Sequence, residues 1–256
     1  MTSRPTTRRP TTETLIRRLH HTDENVRLRA AMDLGTSADP EAAAVLVGRL
    51  GAEADPAVKE MITWAAVQHA EHAMGALMVQ LYSADAPVRA QAAHVLSKIG
   101  GEPVVRPILP VIGDEDPVVA VKAARAAAST GSPAVVPALI ARLGEGDAAV
   151  RDALTDALIV LAQWAVEPLV AALADPDPIV RIHAADTLSD LGSPQADPAI
   201  PTLAAHLADP EPDVRLAMLC ALSRLDHAAT DGLLTDLAAG ADAELAYVAG
   251  RLLRHR

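Results

Sequence analysis

A few groupings in the sequence have residue types that could do chemistry. His69, Glu71 and His72 place two imidazoles three residues apart, a spacing that shares a helix face, with a carboxylate beside them; this is the donor chemistry zinc takes. Met61, Met74 and Met78 lie nearby, and thioethers suit a soft ion such as copper. Cys220 is the sole thiol. No third ligand stands in register with the two histidines, so the cluster reads as a polar turn between helices. Methionines at this spacing fill irregular gaps between helices. A lone cysteine in an Ala/Leu-rich helix reads as packed and inert, and it excludes a disulfide within the chain. The sequence has no P-loop, GxGxxG, GxSxG, HExxH or CxxC pattern. Catalytic residues, a metal and a cofactor are therefore not expected.

A second grouping is periodic. Arg27, Lys59, Arg89, Arg151, Arg181 and Arg215 each follow a valine, and these could form a basic ladder for an anionic partner. The valines belong to a repeat running from end to end: Val26, Val58, Val88, Val119, Val150, Val180 and Val214, with Leu245 as a degenerate last copy. An acidic residue stands three positions before each: Asp23, Asp55, Asp85, Asp116, Asp147, Asp177, Glu211 and Asp242. Such an acid caps a helix, its carboxylate accepting from exposed N–H groups at the positive end of the dipole. Pro56, Pro87, Pro117 and Pro178 fall in the first turn, where the missing N–H costs nothing. Gly35, Gly100, Gly131 and Gly192 are placed to end their helices. A shorter apolar segment, such as Pro137–Leu143, precedes each of these helices. Each unit is thus helix–turn–helix, with an apolar face that only stacking on the next unit can bury. The repeated basic residues, beside their own and adjacent capping acids, read as structural bridges between units.

The pattern DPxxVRxxAAxxL with a period near 31 resembles the HEAT-like repeats first described in phycobilisome (PBS) lyases, over about residues 13 to 254. The resemblance implies an all-α, right-handed alpha-solenoid (armadillo/HEAT-like) of about eight helix–turn–helix repeats, over residues 13–256, after a disordered tail at 1–12. It also implies a scaffold, or alternatively a lyase-like or assembly factor acting on a tetrapyrrole or similar ligand. Deoxyhypusine hydroxylase, an enzyme on such repeats, carries iron on repeated His-Glu pairs; here none of the nine histidines is followed by Glu. Irregularities are expected in the fourth unit, where Ala120 replaces the Arg and Pro107 and Pro110 should shorten the first helix. A longer loop is expected over 192–201, and the junction around His69 lacks a Gly or Pro break.

Composition narrows the partner. Half of the residues are hydrophobic, yet there is no Phe and only two Tyr and two Trp, so small side chains must let the helices approach closely. A formal net charge of −11 and so few aromatics argue against nucleic acid. No stretch is long and apolar enough for a membrane helix. The cytoplasm is the expected compartment.

Binding in a solenoid is expected on the face of the second helices. At about 100° per residue, the core takes the anchor and the positions four and eight beyond it, and the opposite side takes +2, +3, +6 and +10. Those rows place Arg29, Met61, Trp64, Gln91, His94, Lys98, Lys122 and Arg125 in the first four units, a soft and cationic face for a protein partner. Units five and six present Asp152, Asp156, Asp186 and Asp190 instead.

Overall fold

The computed structural model describes residues 10–37 and 39–254. Residues 1–9 of the expected tail lie outside them. Thr11 already caps the first helix, its hydroxyl accepting from the Thr14 N–H. Among the described residues the chain is entirely helical, with no strand, and sixteen α-helices pair into eight hairpins.

The helices form two compact units. The first, up to Gly100, holds α1 (Thr12–Arg18), α2 (Glu24–Gly35), α3 (Glu41–Leu50), α4 (Pro56–Gln68), α5 (Ala70–Leu81) and α6 (Ala86–Ile99). The second, from Gly101, holds α7 (Glu102–Ile108), α8 (Pro117–Ser129), α9 (Val136–Ile140), α10 (Ala148–Val160), α11 (Ala162–Ala172), α12 (Pro178–Leu191), α13 (Ile200–Ala205), α14 (Pro212–Arg224), α15 (His227–Ala238) and α16 (Ala243–Leu253). Even-numbered helices pack side by side within each unit, α2 on α4, α8 on α10 and α12 on α14.

The repeat pattern accounts for these elements. Side-chain caps form at Asp23, Asp55, Asp116, Asp147, Asp177 and Asp242; Asp177, for example, accepts from Ile179 at 2.8 Å. Asp85 and Glu211 take the extended cap backbone but make no side-chain cap bond. The +4 residues, from Ala30 and Ile62 to Met218 and Ala249, are buried in every repeat, and Leu34, Leu96, Leu158, Leu188 and Leu222 at +8 are fully buried. Alanines complete the seams: Ala123, Ala124, Ala126 and Ala127 of α8 are all buried, which lets neighbouring helices approach closely. The last hairpin closes this core, with Leu245 and Ala249 packed on Leu219 and Leu234.

The recurring arginines are structural. Arg27, Arg89, Arg181 and Arg215 each use Nη1 to donate to the carbonyls five and six residues back, pinning the loop that enters their own helix. Arg27 also forks onto Glu53 of the next hairpin with two 2.9 Å bonds, and Arg181 reaches Asp209 at 2.9 Å. These are charge-assisted bonds, the stronger kind. Glu53 and Asp209 are buried. Burial alone would raise their carboxyl pKa values. For Glu53 the Arg27 bond, the Asp55 N–H and the charges of Arg27 and Arg49 outweigh it; for Asp209 the Glu211 N–H and Arg181 do. Both end below their ordinary values.

The fourth repeat solves the same problem differently. With Ala120 in place of the arginine, the α7–α8 loop is held from the following hairpin, where Arg142 Nη2 donates to the Gly113 carbonyl at 3.2 Å. A Cβ at Gly113 would lie 2.6 Å from that guanidinium, so the glycine makes room for it. A cavity of ≈ 70 Å³ remains beside Ala120 and Arg142. The expected shortening is also seen: α7 ends at Ile108 and gives way to a 3-10 turn over Leu109–Val111. The extra residues between the sixth and seventh repeats form a loop with a 3-10 turn at Asp197–Ala199. Arg142→Ala is expected to cost about 1.5 kcal/mol, the scale of a charged hydrogen bond. Ala120→Arg in that background should recover part of it, as read by urea denaturation.

Candidate binding surfaces

The residues expected to bind divide between the two units. Arg29, Met61, Trp64, Gln91, His94 and Lys98 lie on α2, α4 and α6 of the first; Lys122 and Arg125 lie on α8 of the second. Their exposure corrects the helical-wheel assignment. The +6 row does face outward: Met32 is 46% and Trp64 40% exposed, Arg125 is exposed, and His94 is half-buried with Nε2 3.8 Å from Glu60. The +3 row mostly does not. Met61, Gln91 and Lys122 are half-buried, and Ala153, His183 and Ala217 are buried. Within a unit, second helices pack side by side, so +3 falls in the seam between them and the free stripe narrows to about +2, +6 and +10. Gln91 shows the consequence: its amide donates to Thr63 Oγ1 across the α4–α6 seam at 3.2 Å.

Trp64 owes its position to a glycine. A Cβ on Gly35 would sit 2.5 Å from Trp64 Cζ3, so the ring edge rests on the end of α2 while the rest of the indole meets solvent. Gly35 was expected as a helix terminator, but α2 includes it and its backbone is not left-handed; its role is space. Arg29, Lys98 and Arg125 are exposed and make no ion pair with another described residue.

The histidine cluster is structural. His69 is buried, breaks the chain between α4 and α5, and its Nε2 meets the Leu34 carbonyl at 2.9 Å. Leu34 lies in the last turn of α2, where carbonyls lack helical partners; its carbonyl accepts from the Ser37 N–H at 3.0 Å, and the imidazole supplies a second contact. Glu71 and His72 are exposed, and among the described residues no group of three His, Cys, Asp or Glu is placed to hold a metal ion. Cys220 is half-buried, and burial together with the charge of Asp186 raises its thiol pKa, which keeps it protonated.

A groove in the second unit was only partly anticipated. It has a volume of ≈ 1000 Å³ and draws its walls from α10, α12, α14 and α16. Asp152, Asp186 and Asp190 line it, together with Ile179, Ile182 and Leu252. Beneath it lies His183, to which the sequence assigned no role. Its Nδ1 accepts from the Gly144 N–H at 2.8 Å, and its Nε2 lies 3.0 Å from Thr155 Oγ1. Gly144 has φ +81°, a left-handed conformation that a side chain would strain. Thr155 Oγ1 lies 3.2 Å from Thr187 Oγ1, which donates back to the His183 carbonyl. A ring accepting at Nδ1 carries its proton on Nε2, so this closed network requires neutral histidine. Burial lowers the His183 pKa below its usual 6.5.

The family of HEAT repeats matches residues 7–67, 75–159 and 166–254, and the chain belongs to it. No curated protein matches the chain. Three solved structures share its fold. The MAST/Orbit N-terminal domain aligns with a TM-score of 0.55 at 19% identity, over 70% of this chain and 96% of that one. A chain from the structure of microtubule plus-end tracking by XMAP215, CLIP-170 and EB1 aligns at 0.54 and 18%, over 70% and 89%. A chain from the structure of Kap95p with RanGDP aligns at 0.56 and 15%, over 83% of this chain but only 35% of that one. At these identities the likeness establishes the fold: an all-α solenoid of HEAT repeats. None of its helices, among the described residues, is long and apolar enough to cross a membrane.

Two outcomes are expected. A group whose pKa is depressed by folding stabilises the fold fully above its unfolded value and loses that contribution as pH falls. Stability should therefore decline as pH drops below about 6.5, by at most about 1.4 kcal/mol per pH unit for one such group. Urea midpoints at pH 7.5 and 5.5 should show a steeper decline for the unmodified chain than for His183→Gln. In a Trp164→Phe background, Gly35→Ala should push the Trp64 indole off α2 and shift its fluorescence to the red.

Proposed function

We propose that the protein is a non-catalytic scaffold or adaptor acting in the cytoplasm, binding a protein segment along the face of its second helices. The observation that carries this reading is the exposed pair Met32 and Trp64. These are large, soft side chains held outward at the same position of successive repeats, in a chain with only two tryptophans. Tryptophan flanked by arginine and lysine is the composition of an interface anchor. Arg29 and Lys98 supply cations on the same unit without an ion pair among the described residues, and Met61, Gln91 and His94 there are half-buried. Lys122 and Arg125 on α8 carry the same charge in the second unit. Such charges would steer encounter with an acidic segment. The fold neighbours support the reading, since the Kap95p structure is described as a complex with RanGDP and the XMAP215 structure as one of plus-end tracking.

The test is affinity purification of the tagged full chain from its native cell, read by mass spectrometry. Trp64→Ala combined with Arg125→Glu should lose the partner, since removing an interface anchor costs about 2 kcal/mol or more, roughly 30-fold in affinity. Recovery of every partner by this variant would refute the assignment.

A further inference from the structure

The groove of the second unit differs in charge from the proposed face of the first, and it contains a hydroxyl that its own fold does not use. Ser189 lies on α12 at the ninth position after the anchor and lines the groove, only 8% exposed. Its counterparts at that position, Ser97 and Ser223, each donate to the carbonyl three residues back on their own helix, at 2.7 Å and 2.6 Å. Ser189 makes no hydrogen bond with any described residue, although its oxygen is not sealed from the groove. One turn before it on the same helix, the carboxylate of Asp186 is also uncompensated among the described residues. Two cations line the groove, and both are committed: Arg151 Nη1 donates to the Gly146 carbonyl at 2.7 Å, and Arg224 Nη1 stands 3.5 Å from Asp190. Asp152 and Asp186 are left without an ion pair among the described residues.

We infer that this groove binds a protein segment carrying a lysine or arginine flanked by apolar side chains, the cation seated on Asp186 with the Ser189 hydroxyl accepting one of its N–H groups. Asp186 is the natural seat. It lacks a cationic neighbour of its own, and the water displaced by the groove walls, with the charge of Asp190 one turn on, raises its carboxyl pKa above the ordinary value. A bound cation reverses that penalty. Asp152 extends the negative wall from α10. Ile179, Ile182 and Leu252 supply apolar contact for the aliphatic stem and for neighbouring side chains, since long basic residues bury their methylenes while the head stays polar. That apolar share favours a peptide over a free polyamine. The site shares no residue with the Trp64 face, and either can fail without the other.

The experiment uses the full chain and a fluorescein-labelled peptide with a Leu-Arg-Leu core, beside versions carrying Gln or Glu in place of Arg, and spermidine as a competitor. By fluorescence anisotropy the Arg peptide should bind at least tenfold more tightly than the Gln peptide, and the Glu peptide should not bind. Asp186→Asn should weaken the Arg peptide at least fivefold and Ser189→Ala about twofold, while Trp64→Ala leaves it unchanged. Cys220 lines the same groove, so the Arg peptide should also slow modification of that thiol by a maleimide in the unmodified protein. Equal binding of the Arg and Gln peptides would overturn the inference. So would an Asp186→Asn variant of unchanged helicity that binds normally, undiminished Cys220 reactivity, or spermidine binding as tightly as the peptide.

Discussion

The structure depends on one interaction that recurs in four of the eight hairpins: a guanidinium one residue after the anchor valine, donating backward to the carbonyls of the loop that enters its helix. Each such loop must reverse the chain within a few residues and leaves carbonyls that no helix can satisfy. Arg27, Arg89, Arg181 and Arg215 satisfy two each with one nitrogen. In Arg27 and Arg181 the rest of the head reaches an acid in the next loop, so a single side chain fixes the turn within a hairpin and the spacing between hairpins. The geometry is demanding, because the planar fork must meet two carbonyls and a carboxylate together, and lysine lacks that fork. Where the arginine is missing, at Ala120, Arg142 does the holding and a small cavity marks the gap.

Fixing the loops this way confines function to what remains. First helices and the flanks of second helices are given over to Ala, Val and Leu packing. On each second helix a narrow stripe is left exposed. The charge of that stripe changes along the repeats. The first presents Met32, Trp64 and cations, and the second presents Asp152, Asp186 and Asp190 around an open groove.

The fold was legible because its signals are local and repeated. Caps, first-turn prolines and a Leu eight residues on specify each second helix with little help from tertiary context. Two of the arginines bridge hairpins as their place beside the acids suggested, Arg27 through Glu53 and Arg181 through Asp209, each acid two residues before the cap of the next second helix. The site was less legible, for physical reasons. A helical wheel treats a helix as having one buried side, whereas a second helix here is buried by three neighbours, so Gln91, Lys122 and His183 were placed outside when they occupy seams. Gly35 reads as a stop in sequence, and only the Trp64 ring against it reveals a spacer. His69 looks like a possible ligand in one dimension and His183 like nothing in particular; their partners, the Leu34 carbonyl and the Gly144 N–H, lie 35 and 39 residues away.

At Arg27 and Arg181 the arginine fork, and not apolar packing alone, couples one hairpin to the next. A double-mutant cycle on Arg27 and Glu53, with each residue replaced by Ala singly and together, measures this most directly. Groups in one hydrogen-bonded ion pair are expected to couple clearly beyond the roughly 0.5 kcal/mol within which independent sites add. A coupling energy near zero would mean that the fork follows from the stack and does not hold it.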